Sequence, residues 1–322
     1  MSPKRRMVTQ SQQSTVINCE EKARLKYVEM LAPVATGAQS LGSAVHFGFE
    51  VGSAEVAVKS LEDSRGELWA EFQEDKLKTD TAIVRGIVSG GLAEWSSWPM
   101  RREIQFELPY INPATGHAST KHGFAGMCDG IWLPKELSPE IDEPVLLEIK
   151  TTSRLDATYF KRLDLDWQVT AYMYAASQVY GAPVRRMVYR ICRKPSIKIW
   201  SKVKRPDGVD EKGKAKYLYS PETVEEYAAR IQEDYRKRPE FYFAEVVLTR
   251  TDEQIERWRW EAWEAHERLL AIHNGAMTIR NPGHCGDYGG CPFIPLCRGD
   301  STPDAYPVRK SLNPELDGTT NE

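Results

Sequence analysis

The chain has 322 residues, 41% hydrophobic and 28% charged, with nine Trp, nine Phe and fourteen Tyr. That apolar bulk excludes disorder over most of the length, and the length admits either two domains or one large α/β domain. A net charge of −3 excludes a uniformly basic coat for nucleic acid but not a local basic patch, and six cysteines are too few for a disulfide scaffold.

Residues 1–13 are polar and read as a flexible N-terminus. A helix capped by Ser14 or Thr15 follows, with Val16, Cys19, Ala23, Tyr27 and Met30 on one face. Met30 to Phe49 contains no Asp, Glu, Lys or Arg, but Pro33, three glycines, two serines and Gln39 make it too polar to span a bilayer. Lys4, Arg5 and Arg6 are not followed by an apolar signal region, so a cytoplasmic protein is expected. Helices are predicted around 45–61 and 80–95, the second weakened by Gly90 and Gly91.

The pattern then changes. Glu103–Leu108 alternates as a strand, Asn112–Gly116 is turn chemistry, and Phe124–Leu133 and Val145–Lys150 read as further strands. A helix over 165–180 stops at Gly181, and Val184–Arg193 is a strand. Helices are expected over 221–236 and 251–273, the latter with Thr251 as cap. Pro206–Lys216 reads as a flexible loop near the substrate, and 301–322 as a flexible tail. The order of helices, β-β-β-α-β and helices describes a mixed α/β core with helical additions.

Within the strands, Glu148-Ile149-Lys150 places a carboxylate and an ammonium on one face, with Ile149 turned to the core. Such a pair alone is most often a solvated surface feature. Here Val145-Leu146-Leu147 leads into it, and burial makes an unneutralised Glu and Lys costly. Asp129, nineteen residues upstream in Cys128-Asp129-Gly130, would add a second carboxylate. Two carboxylates suit a hard divalent cation, which acidifies water, while a lysine stabilises charge on phosphate. Gln168 and Tyr172 share a face of the next helix. His46, in Gly42-Ser43-Ala44-Val45-His46, is a possible ligand, although a lone helical His is more often structural.

Together these residues resemble the PD-(D/E)XK nuclease superfamily, specifically its RecB-like branch, over roughly 14–298. Cys128 departs from the proline of the superfamily pattern. The resemblance implies a restriction-endonuclease-like mixed sheet flanked by helices. His46, Asp129, Glu148 and the Ile149 carbonyl would hold Mg²⁺ or Mn²⁺, Lys150 would be the catalytic lysine, and Gln168 and Tyr172 would position DNA. One domain over 14–300 is expected, with a helical part (14–98), a catalytic α/β core (99–205) and a helical, cysteine-bearing part (206–300).

Cys285, Cys291 and Cys297 are spaced C-x5-C-x5-C among glycines and prolines. On spacing alone, zinc completed by His284 and an iron–sulfur cluster completed by Cys19 are equally good readings, ahead of a plain Gly/Pro loop that binds nothing. One early and three late cysteines is the layout of iron–sulfur RecB-like nucleases, including AddB-type and CRISPR-adaptation members; the first late spacing is wider here than their usual C-x2-C-x5-C and resembles that of phage-encoded members. The resemblance therefore implies a structural 4Fe–4S cluster on Cys19, Cys285, Cys291 and Cys297 that joins the two terminal helical segments. Cys128 and Cys192 read as strand residues.

Arg185–Arg205 holds nine basic residues and no acidic one, with Tyr189 and Trp200 interleaved. Such a mixture suits phosphates and stacked bases, and Arg190 and Lys194 are expected to contact DNA. The Trp258, Trp260 and Trp263 helix reads as packing rather than as a stacking platform. The expectation is a metal-dependent DNA exonuclease acting on single strands or ends in recombination, repair or phage DNA processing. Its partners would be a recombinase, a single-strand-binding protein or a helicase. The competing readings are a catalytically silent DNA-binding or assembly module and a zinc-stabilised endonuclease.

Overall fold

The structure, a computed structural model, describes residues 5–32, 37–200, 205–218, 221–287, 290–313 and 316. The chain begins with strand β1 (Arg6–Thr9), helices α1 (Gln10–Asn18) and α2 (Glu20–Ala23), and a π-helical turn over Arg24–Val28. Three helices follow: α3 (Gly37–Val51), α4 (Ala54–Phe72) and α5 (Glu74–Glu94). Next come strands β2 (Arg101–Ile111), β3 (Ala118–Trp132) and β4 (Val145–Thr152), helices α6 (Ala157–Leu163) and α7 (Trp167–Tyr180), and strand β5 (Arg186–Arg193). The remainder comprises β6 (Arg205–Val209), β7 (Ala215–Leu218), α8 (Val224–Lys237), α9 (Pro239–Tyr242), β8 (Phe243–Thr249), α10 (Asp252–His273) and α11 (Ile294–Arg298).

The main sheet is six-stranded and mixed. β3 pairs antiparallel with β2 and β4 and parallel with β1, β4 runs parallel to β5, and β5 runs antiparallel to β8. Strand alternation divides the core into two layers. Val145, Leu147 and Ile149 of β4 pack with α3, α4, α5 and α8. Leu146 faces the opposite layer, formed around α7 and α10. This is the mixed α/β architecture expected from the sequence. No helix among the described residues is long and apolar enough to cross a membrane.

Local chemistry explains the helix ends. Asp166 caps α7 by accepting from Val169 N–H (3.1 Å), and Gly181 ends it at φ 64°. Capping boxes open α8 (Thr223/Glu226) and α10 (Thr251/Gln254). The Trp helix packs as expected: Trp258 is buried, with Ile255, Ala262, His266 and Leu269 on the same buried face.

Several expectations need correction. From Arg6 onward the N-terminus is not free, because Arg6–Thr9 joins the sheet beside His122–Ala125 and Val8 is fully buried; residues 1–4 lie outside the described residues. The tail is anchored as far as Asn313: Leu31 bridges Val308, and the Gln12 side chain donates to Asn313 Oδ1 (2.5 Å). The single helix over 45–61 is two helices, broken at Gly52, whose φ of 71° turns the chain. Gly90 and Gly91 do not weaken α5. A Cβ at Gly90 would meet the Phe243 ring at 2.6 Å and one at Gly91 the Phe49 ring at 2.7 Å, so both glycines permit close packing. Pro206–Lys216 is not a plain loop but most of the β6–β7 hairpin.

Candidate active site

The site forms where β3 and β4 part. Their ladder runs from Trp132/Val145 to Gly130/Leu147 and stops there. One residue further on, the Asp129 carboxylate takes the place of a backbone partner: its Oδ2 accepts from Ile149 N–H at 2.6 Å. β4 stays in register with β5, with Glu148 beside Tyr189 and Lys150 beside Ile191. Strand β4 is therefore fixed on one edge and open on the other, beside two carboxylates.

Alternation places Glu148 and Lys150 on one face and Ile149 in the opposite core layer, as the spacing predicts. Glu148 is 2% exposed and its Oε1 is paired with the Lys150 ammonium. Its other oxygen, Oε2, is buried with no hydrogen-bond partner. Helix α3 supplies His46, whose Nδ1 lies 2.9 Å from Asp129 Oδ1. Four of the sequence-derived site residues thus meet in one cluster.

Their electrostatics follow from burial opposed by mutual charge. Burial pushes the Glu148 carboxyl up to about 7, and the nearby Asp129 carboxylate adds to this while Lys150 opposes it. Burial would lower the Lys150 pKa, but Glu148 and Asp129 outweigh it and hold the ammonium charged. Burial would likewise raise Asp129 and lower His46. Their mutual attraction prevails, so Asp129 falls and His46 rises.

The donor set suits a hard cation: two carboxylates, one of them with an orphaned buried oxygen, and one imidazole. Among the described residues, no group of three His, Cys, Asp or Glu side chains is arranged to hold a metal ion. In this conformation Asp129 is closed on His46 and the Ile149 amide, and Glu148 on Lys150.

Helix α7 overlies the same face. Gln168 Nε2 donates to the Tyr172 hydroxyl at 3.0 Å, and Glu148 acts on that hydroxyl electrostatically. Residues not singled out as site members also converge here: Tyr159 and Tyr189 act on one another electrostatically within the field of Glu148 and Asp166. The strand period applied to β5 would find Tyr189, since it neighbours Glu148 across the ladder.

Arg190 is not a DNA contact in this structure. It is 3% exposed, its guanidinium bonds Glu245 (2.8 Å) and the Ser97 carbonyl (2.7 Å), and it stacks over Trp98 and Trp95. Nor does the basic stretch form one patch. Arg185 pairs with Asp252 and Arg186 with Glu143, acids brought in from distant segments, while Lys202 and Lys204 lie outside the described residues. Lys194 is half-buried beyond the end of β5, its backbone N–H donating to Thr152 O at 2.7 Å.

The four cysteines Cys19, Cys285, Cys291 and Cys297 are free thiols of intermediate exposure, whereas Cys128 and Cys192 are buried strand residues. The Cys297 thiol is pushed up by burial, then by Glu21, Cys291 and Cys19. Polar contacts join the two segments that carry them. Arg268 forks onto Glu20 (2.6 and 2.5 Å), and Glu20 also accepts from Ile279 N–H (2.8 Å). His284 Nδ1 lies 2.8 Å from Asp287 Oδ2.

A family model described as the PD-(D/E)XK nuclease superfamily matches residues 7–298. The chain belongs to that superfamily. As a superfamily member it is a nuclease domain, with nucleic acid as the substrate class. No curated protein matches it. Among solved structures it is similar to a protein of Eubacterium rectale presumed to be an exonuclease, at 13% identity and a TM-score of 0.49 over 97% of this chain and 93% of that one.

Proposed function

We propose that this nuclease is a metal-dependent DNA exonuclease of the RecB-like branch, acting on single strands or on ends. The observation that carries the reading is the convergence of Asp129, Glu148 and Lys150 where β3 and β4 part, with one Glu148 oxygen buried and unpartnered. His46, Asp129, Glu148 and the Ile149 carbonyl would hold Mg²⁺ or Mn²⁺. Bound there, the cation would acidify water and neutralise charge on the phosphate. Asp129, tied to the Ile149 amide, fixes the gap between the strands. Lys150, kept charged by two carboxylates, places its ammonium against the charge that develops on the phosphoryl oxygens. Gln168 and Tyr172 position the DNA from α7.

A structural 4Fe–4S cluster on Cys19, Cys285, Cys291 and Cys297 fits the polar contacts that already bring the early and late segments together. One observation supports zinc instead. The His284 Nδ1 contact with Asp287 leaves Nε2 for a metal, the arrangement of an outer-shell carboxylate behind a zinc ligand. The DNA work would be end or strand trimming in recombination, repair or phage DNA processing, beside a recombinase, a single-strand-binding protein or a helicase.

End-labelled single- and double-stranded DNA with Mn²⁺, wild type against Lys150→Ala, tests the reading. Wild type should release nucleotides from ends, and Lys150→Ala should lower the rate by about 10²–10³-fold. Equal rates in both proteins would sink the catalytic assignment, and binding without hydrolysis by wild type would favour a non-enzymatic module.

A further inference from the structure

Sequence and structure single out one surface that the catalytic cluster does not use. Lys194 to Tyr217 carries eight basic residues against three acidic ones, in a chain of net charge −3; two of the eight, Lys202 and Lys204, lie outside the described residues. The segment leaves the sheet at the end of β5, where Lys194 N–H bonds Thr152 O, two residues beyond Lys150. Residues 197–200 belong to no helix or strand, yet they are held firmly. Tyr227 donates to Ile197 O (2.8 Å) and Arg230 to Lys198 O (2.7 Å). Glu222 accepts from Trp200 N–H (2.9 Å) and its own N–H returns to Trp200 O (3.0 Å). Glu222 is buried and held by both arms of Arg230 (2.8 Å each).

This support carries side chains that reach solvent. Lys198 is exposed, and Trp200 is 41% exposed. The β6–β7 hairpin beyond it forms a sheet of its own, a unit that is marginal without something to pack on. Its turn is built by Asp210, which accepts from Lys212 and Lys214 N–H (2.9 and 2.8 Å). Lys212, Lys214, Lys216 and Tyr217 are all exposed. Strand alternation sets Tyr217 on the face opposite Lys216.

We infer that Lys198, Trp200 and the β6–β7 hairpin form an arm that holds an unpaired DNA strand, Trp200 stacking on a base while the lysines track the phosphates. Cations alone would suit any polyanion. A half-exposed indole among them, on a backbone held at both its N–H and its C=O, matches bases whose faces are free, which duplex DNA does not offer along its length. The arm would lead a single strand toward the end of the sheet where β4 carries Lys150. It rests on the nuclease reading, but its test does not depend on cleavage.

Binding of fluorescein-labelled oligodeoxythymidine is measured by anisotropy in EDTA, across a salt series, with far-UV circular dichroism as a control of folding. Lys212→Glu/Lys214→Glu/Lys216→Glu should weaken binding at least about tenfold and flatten the log–log salt slope by roughly 0.7 for each phosphate no longer neutralised. Trp200→Ala should weaken it by about fivefold or more with the slope unchanged, and Trp200→Phe should recover most of the affinity. Because binding is read in EDTA, without cleavage, a failure of the catalytic assignment leaves this result readable. Unchanged affinity in the folded lysine variant overturns the arm. An equal drop in affinity for blunt duplex DNA on Trp200→Ala overturns the stacking of unpaired bases.

Discussion

The two ends of this molecule that carry chemistry are built in opposite ways. The carboxylate–lysine site sits on β4, paired with β5 over its whole length and flanked by two apolar layers. The cysteine segment has only short helical turns, and the apolar cluster beneath it has three buried residues: Leu25, Leu31 and Phe293. Its remaining support is polar, through contacts such as Arg280 to the Cys297 carbonyl (2.8 Å) and Thr278 to Glu21. The first region keeps its shape through packing, so its ionisable groups can be strained. The second lacks the buried area to do so, and a centre held by its thiols, as proposed above, would supply the missing support.

The largest effect should therefore come from breaking the cysteine set. Cys297→Ser is expected to remove absorbance near ~400 nm from anaerobically purified protein. It should lower the melting temperature by about 10 °C and open residues 281–300 to limited proteolysis. Stoichiometric zinc without that absorbance would assign the site to zinc. An unchanged melting curve and cleavage pattern would show that the polar contacts suffice without any bound centre.

A smaller effect, of opposite sign, is expected at the packed end. With its carboxyl raised to about 7, Glu148 keeps a proton in the folded chain that the unfolded chain releases from about pH 4.5 upward. Its contribution to stability is full below that range and is lost as pH rises through about 7. In metal-free protein, Glu148→Gln should match wild type near pH 5 and be more stable near pH 8, by about 1–3 kcal/mol. Denaturant melts at the two pH values measure the gap. Parallel shifts at both would mean that Glu148 ionises in the fold as it does in the unfolded chain.

The same contrast accounts for what the sequence reveals. Glu148, Lys150 and Ile149 can be placed because a strand has a fixed period and the apolar run before them marks burial. The helix ends at Thr251 and Gly181 are legible because capping is local chemistry. Arg190 is misread because its burial depends on Trp95, Trp98 and Glu245, all more than fifty residues away in sequence. The N-terminal strand and β8 carry too short a local pattern, and only their partners β3 and β5 make them strands. Gly90 and Gly91 look like helix weaknesses because propensity counts their missing side chains and not the Phe243 and Phe49 rings that occupy the space.

The smallest test lies between the two regions, on α7. Tyr172 is buried, its ring set edge-on to Phe106 at 6.0 Å, and its hydroxyl accepts from Gln168. Burial drives its pKa far up, so the hydroxyl keeps its proton at any working pH and can donate but not act as a base. In the proposed role that proton would meet a phosphate oxygen, with Gln168 fixing the angle of the group. Tyr172→Phe keeps the ring and removes only this handle. It should cost about 1 kcal/mol in stability, the worth of one hydrogen bond. In cleavage assays it should raise KM for DNA several-fold with little change in kcat, because it removes positioning from substrate and transition state alike. A loss of stability with unchanged KM would make the Gln168–Tyr172 pair a packing feature and return the whole of DNA positioning to the basic arm.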